Sequence, residues 1–153
     1  MHFSFFRKWY LIEPDIENYR SLLKKLGFGI MARSLKLQTE TVEFGETHLG
    51  DLIVEVDSDL GKKVCLVNKS LKSSEKSCLT DFESQTILTS DERGTINKRF
   101  LAADVFFYEY ETWGSGLEHT KTWTVRDDRL ICVHRLGDLE VKRWYSPVVL
   151  NNK

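Results

Sequence analysis

The stretch Leu139-Glu140-Val141-Lys142-Arg143-Trp144-Tyr145, close to the C-terminal end, alternates as a β-strand does. Successive side chains of a strand point to opposite faces, so Leu139, Val141, Arg143 and Tyr145 share one face, and Glu140, Lys142 and Trp144 the other. The first face opens apolar and belongs inside, yet it ends on an arginine and a tyrosine. A buried guanidinium is costly unless an anion or a set of acceptors meets it. The strand therefore predicts an interior that holds something negatively charged against Arg143.

Working back along the chain, most segments repeat the same two-residue period. Leu52, Val54 and Val56 alternate with Ile53, Glu55 and Asp57, and Val64 and Leu66 do so more briefly. Trp123 and Val125 alternate with Thr122, Thr124 and Arg126, and Leu130 to His134 is a shorter apolar run. Phe106, Tyr108 and Tyr110 alternate with Glu109 and Glu111, which this pattern turns toward solvent. Gly45, Gly50, Gly61, Asp127-Asp128 and Gly137-Asp138 punctuate the runs as turns. Many short, closely spaced strands without βαβ alternation predict an antiparallel barrel or sandwich.

One helix interrupts this pattern. Pro14-Asp15 supplies a start, Ile16, Tyr19, Leu23 and Leu26 recur at helical spacing, and Gly27 supplies a stop. Phe28 to Arg33 predicts a second helical turn. Asn68 to Thr80, rich in Ser and Lys, has no clear pattern and reads as a long loop or edge hairpin.

Composition narrows the function classes. The 153 residues suit one domain, and 41% hydrophobic with 29% charged residues is an ordinary globular balance. Lys plus Arg numbers 22 and Asp plus Glu 23, a formal net charge of −1 that disfavours a nucleic-acid partner. The apolar run near Met1 is broken by Arg7 and Lys8, too short for a signal peptide, which predicts a cytoplasmic protein. Cys65, Cys78 and Cys132 are odd in number and scattered, as reduced thiols are, and offer no metal-ligand spacing. Without a secretion signal, the Asn68-Lys69-Ser70 sequon is a chance match.

Three segments carry a resemblance, the middle one in two pieces. Lys8-Trp9-Tyr10-Leu11 opens the series, with Arg7 where a glycine is usual. Ile16-Glu17-Asn18-Tyr19 follows, then Leu26-Gly27-Phe28-Gly29-Ile30-Met31-Ala32-Arg33, and Val141-Lys142-Arg143-Trp144-Tyr145 closes it. In this order they resemble the fatty acid-binding protein family, intracellular lipid-binding proteins of the lipocalin-like calycin superfamily. The resemblance runs from about Arg7 to Ser146 and is thin between Asn68 and Phe82.

The resemblance implies a mainly-β single domain over 1–153: a ten-stranded antiparallel up-and-down β-barrel, or clam. A helix-turn-helix lid at about 15–33 caps it, over a water-containing cavity. It implies a cytoplasmic, monomeric, non-enzymatic carrier without a cofactor that binds and transports a long-chain fatty acid or similar hydrophobic ligand. Arg143 and Tyr145 match the family's anchor, a planar fork and a phenol suited to an anionic head group. Tyr19 and Met31 from the lid and Trp123, Lys121, His134 and Cys132 from nearby strands complete the implied ligand site. Relatives often carry a second arginine two strands before the last, and a gap-free count places Trp123 there. Lys121 or His134 would then supply the missing charge. Arg20, Lys24 and Lys25 match basic lid residues that touch anionic membranes.

Plainer roles compete with each of these. Arg143 can be a structural arginine held by protein acceptors, His134 a neutral core histidine, and Lys121 a barrel-mouth lysine with its ammonium in solvent. Trp9 reads as packing at the barrel bottom. Cys132 beside His134 is a poor catalytic dyad, because residues two apart on one strand hold their side chains in parallel and nothing orients the imidazole. A gap-free comparison with the family would turn Glu109 and Glu111 inward, against the alternation, which we follow. The alternative functions are a retinoid-type carrier, a haem-binding barrel using His134, or a membrane-surface β-barrel protein bound through its basic lid.

Overall fold

A computed structural model of the chain describes residues 6–27, 35–48, 50, 52–67, 80–88, 95–103, 106–113 and 116–149. At 63, 65–67, 80–88, 95–103, 106 and 113 it describes the backbone only. The elements run β1 (Lys8–Glu13), α1 (Ile16–Lys25), β2 (Glu40–Glu46), β3 (Leu52–Ser58), β4 (Gly61–Val67) and β5 (Thr80–Leu88). Then follow β6 (Thr95–Ala103), β7 (Phe106–Trp113), β8 (Glu118–Arg126), β9 (Arg129–Leu136) and β10 (Leu139–Pro147). All ten strands form one sheet in the order β4-β3-β2-β1-β10-β9-β8-β7-β6-β5. Sequential neighbours pair antiparallel except β4 and β5, which stand at the two ends of the order, and β1 joins the two halves by pairing with both β2 and β10. This is the antiparallel up-and-down architecture that the alternation and the resemblance led us to expect.

The sheet curls on itself. Four strand spacings separate β2 from β8, roughly 19 Å in a flat sheet at about 4.8 Å per strand. Yet the Phe44 ring on β2 lies 5.7 Å from the Trp123 ring on β8 and 5.8 Å from Phe107 on β7, edge to face in both cases. Only a sheet that brings its concave face together permits those contacts. Trp9, Leu11, Val42, Phe44, Leu52, Val54, Phe107, Trp123, Leu130 and Tyr145 fill this face as one apolar cluster. Trp9 is fully buried there, in keeping with a packing role.

Local chemistry sets the turns. Asp127 and Asp128 both have positive φ between the paired Arg126 and Arg129, the two-residue turn whose twist matches a hairpin. In the β9–β10 turn Gly137 takes φ 58 at a position a side chain would strain. Asp15 precedes α1 in a left-handed conformation and makes no side-chain cap; its carboxylate instead receives Asn18 Nδ2 at 3.2 Å. Gly27, at φ 95, ends the helix as its N–H bonds the Lys24 carbonyl at 3.1 Å.

The buried face of α1, Tyr19, Leu22 and Leu23, packs with Leu26, Leu37, Leu136 and Val141 at one end of the sheet. The expected second lid turn at Phe28 to Arg33, with Met31, lies outside the described residues, as do the unpatterned 68–79, the sequon and Cys78. No described helix is long and apolar enough to cross a membrane.

Candidate functional site

Arg143 is 2% exposed, on the inward face of β10, as the period-two reading expects. Its anion is supplied by the chain itself. Nη1 lies 3.2 Å from Glu40 Oε2, and Nε donates to the Pro14 carbonyl at 3.2 Å. Tyr145 donates its hydroxyl to the same Glu40 oxygen. The guanidinium stacks on the Tyr19 ring, with Cζ 3.7 Å from its centroid. Burial opposes the charge on Arg143, but Tyr145 and Glu40 outweigh it and raise its pKa. Burial, with Glu40 beside them, pushes Tyr145 well up and Tyr19 up to about 12, so both phenols stay protonated. The structural-arginine alternative thus describes Arg143 as it stands.

Glu40 was not singled out from the sequence, although the signal was available. It precedes Val42 and Phe44 at period two, and all three face inward from β2.

A second polar group lies on β7, β8 and β9. Register pairs Glu109 with Lys121 and Glu111 with His119 across β7–β8, and Lys121 with His134 across β8–β9. Lys121 Nζ sits 3.4 Å from Glu109 Oε2 and 3.3 Å from Glu111 Oε1. Burial lowers the Lys121 pKa, but the two carboxylates overcome this and raise it well above the usual lysine range.

The solvent-facing assignment of Glu109 and Glu111 is therefore corrected: they are 6% and 3% exposed, and the gap-free family comparison had their direction right. The apolar alternation misled because Tyr108 and Tyr110 carry hydroxyls that tolerate partial exposure, and both stand half-buried on the outer face. The inward carboxyls are compensated by Lys121 and His119, which belong to another strand.

His119 and His134 link this group to Cys132. His119 Nδ1 lies 3.3 Å from Glu111 Oε2, His119 Nε2 3.1 Å from His134 Nδ1, and His134 Nε2 3.4 Å from Cys132 Sγ. The imidazoles stack at 5.3 Å, and Tyr19 meets His134 edge to face. Burial, then the neighbouring His119, Lys121 and Arg143, hold the His134 pKa well below its usual 6.5; Glu111 opposes them more weakly. One assignment satisfies every contact: the thiol donates to His134, His134 to His119, and His119 to Glu111.

His134 is therefore oriented after all, by a residue 15 positions away. The dyad is still unsuited to nucleophilic chemistry, because burial keeps the fully enclosed Cys132 thiol far above the thiolate range. The haem alternative fits poorly as well, since both ring nitrogens of His134 already have partners.

This arrangement has a pH signature. With its folded pKa depressed, His134 contributes stability that is present above about pH 6.5 and lost as the pH falls toward its folded value. The unfolded chain takes up a proton there while the buried ring among Tyr19, Glu111, His119, Lys121, Cys132 and Arg143 does not. Thermal melts should show stability dropping between pH 7.5 and 5.5, by at most about 1.4 kcal/mol per pH unit from this one group. His134→Gln should flatten that drop; an unchanged slope contradicts the assignment.

Of the other residues singled out, Trp123 is 4% exposed among the interior aromatics, 5.6 Å from Tyr145 between ring centroids. Arg20 is half-buried and donates to the Leu35 carbonyl at 3.1 Å. Lys24 and Lys25 are exposed. Lys25 also borders an open depression of about 550 Å³ with Leu117, Glu118, Leu136 and Asp138. Among the described residues no cluster of His, Cys, Asp and Glu has a metal-binding arrangement.

No protein-family model matches the chain, and no curated protein sequence does. Solved structures match its shape. A Schistosoma mansoni fatty acid binding protein in complex with arachidonic acid superposes with a TM-score of 0.73 at 20% identity, covering 95% of this chain and 97% of that one. A secretory abundant heat soluble protein from Ramazzottius varieornatus gives 0.71 at 15% identity, covering 97% and 98%. The wild-type fluorescent protein UnaG gives 0.67 at 15% identity, covering 95% and 98%. The chain has the fatty-acid-binding-protein fold. Proteins with such different descriptions share it, so the fold alone leaves the ligand open.

Proposed function

We propose that this protein is a non-enzymatic carrier that binds one lipid molecule inside its barrel, with the acyl or isoprenoid chain against the apolar wall. The observation that carries the reading is the inner face itself, where Phe44, Phe107, Trp123 and Leu130 adjoin a deeply buried polar group on the same surface. An apolar enclosure with a few convergent polar groups is what a lipid with a polar head requires. Burial of the chain supplies most of the affinity, about 0.8 kcal/mol per methylene, and the polar groups fix its orientation. The fold shared with fatty-acid-binding proteins supports the same reading.

Tyr19, Trp123, Lys121, Cys132, His134, Arg143 and Tyr145 would surround the head-group end, and Met31 belongs to the same proposal through the family resemblance alone. Lys24 and Lys25 offer an exposed basic edge for transient contact with anionic membranes during transfer, screened by salt. The protein would act as a cytoplasmic monomer.

Native mass spectrometry of gently purified protein should find a lipid-mass adduct that denaturation releases, and delipidated protein should bind Nile red one to one with a blue-shifted emission. Protein that carries no lipid and binds no probe would refute the proposal.

A further inference from the structure

We infer that the interior selects a lipid whose uncharged head both accepts and donates a hydrogen bond, such as a fatty alcohol or primary amide, over a free carboxylate. This rests on the lipid-binding reading and extends it to the head group.

The first observation is that the carboxylate anchor is already in use. Arg143 and Tyr145 both hold Glu40 Oε2, the Arg143 Nε is committed to Pro14, and the guanidinium face is covered by Tyr19. A ligand carboxylate at this anchor has to expel Glu40, whose side chain is only 7% exposed, and leave it unpaired.

Charge balance points the same way. Among the residues whose side chains are described, Glu40, Glu109 and Glu111 face inward with Arg143 and Lys121: three carboxyl groups against two cations. His134 adds no charge, since its surroundings keep it neutral. Among the described side chains a further carboxylate finds no spare cation to meet it.

Two polar atoms nevertheless lack a hydrogen bond. Trp123 Nε1, a donor, and Glu109 Oε2, an acceptor, are buried without a hydrogen-bond partner among the described residues. Glu109 Oε2 has only the 3.4 Å ion-pair contact with Lys121. Register makes their owners diagonal neighbours on one inward face, since Phe107 pairs with Trp123 and Glu109 with Lys121. A hydroxyl or amide head placed between them accepts from the indole N–H and donates to the carboxylate. An ionised carboxylate accepts from the indole but has no proton to offer Glu109.

Displacement of Nile red from delipidated protein at pH 8 by oleyl alcohol, oleamide and oleate tests this directly. The alcohol and amide should displace the probe at least tenfold more effectively than oleate. Trp123→Phe should weaken oleyl alcohol about two- to tenfold, the worth of one hydrogen bond. Glu40→Gln should strengthen oleate tenfold or more by removing the resident charge. Oleate binding as well as or better than the alcohol in the unaltered protein would overturn the inference while leaving lipid binding intact. Failure of all three lipids to displace the probe would instead remove the reading on which it rests. The comparison in the unaltered protein decides the matter even if a variant fails to fold.

Discussion

Arg143→Met should lose about 3–5 kcal/mol of stability, the usual cost of removing one partner from a buried ion pair. The reason is the group left behind. Glu40 would keep the Tyr145 hydroxyl but lose the Arg143 guanidinium against it, in a site almost sealed from water. Methionine fills much of the arginine stem's volume, so the loss is electrostatic and not a cavity effect.

The double variant Arg143→Met with Glu40→Leu should recover more than half of that loss, because neither charge of this pair then remains. Recovery stays incomplete, since the bond to the Pro14 carbonyl and the stacking on Tyr19 are gone as well. Urea denaturation of the parent, both single variants and the double variant closes the cycle. Strictly additive losses would contradict a direct Arg143–Glu40 coupling.

Lys121→Met should lose about 3 kcal/mol, at the low end of the same range. Its side chain is 23% exposed, so solvent shares in holding the ammonium, and the loss is smaller than for Arg143. The substitution would leave two carboxyl groups, Glu109 and Glu111, on one buried face without the ammonium between them, His119 still meeting Glu111. Adding Glu109→Gln to Lys121→Met should return about half of the loss by removing one of the two like charges. If Lys121→Met melts with the parent, Lys121 is a solvent-held lysine at the barrel mouth and the cluster is not a connected unit.

The alternation along β3, β8 and β10 is legible from residues alone, because a strand buried on one face must repeat with period two. The same rule turns Arg143 and Tyr145 inward, where both are buried. Tyr19, Leu23 and Leu26 likewise mark the buried face of α1, where a helical period forces them onto one side.

On β7 the same rule gives the parity but not the polarity. Tyr108 and Tyr110 form one row, Phe107, Glu109 and Glu111 the other, and apolar content favours the wrong row. The deciding terms are Lys121 and His119 on β8, and a single strand carries no information about the strand beside it.

The anion demanded by Arg143 was inferred correctly, and its owner was not. Glu40 lies 103 residues away in sequence. It meets Arg143 because β1 stands between β2 and β10 and the sheet is strongly curved. The stacking of His119 on His134 has the same origin, in the β8–β9 register.

Which residues share a face, and that an inward guanidinium needs a negative partner, follow from side-chain periodicity and the cost of burying charge. Both are local properties, and the sequence by itself determined them. Which groups satisfy one another depends on strand order, register and curvature. Those bring distant residues within hydrogen-bonding distance, and only the tertiary structure decided them.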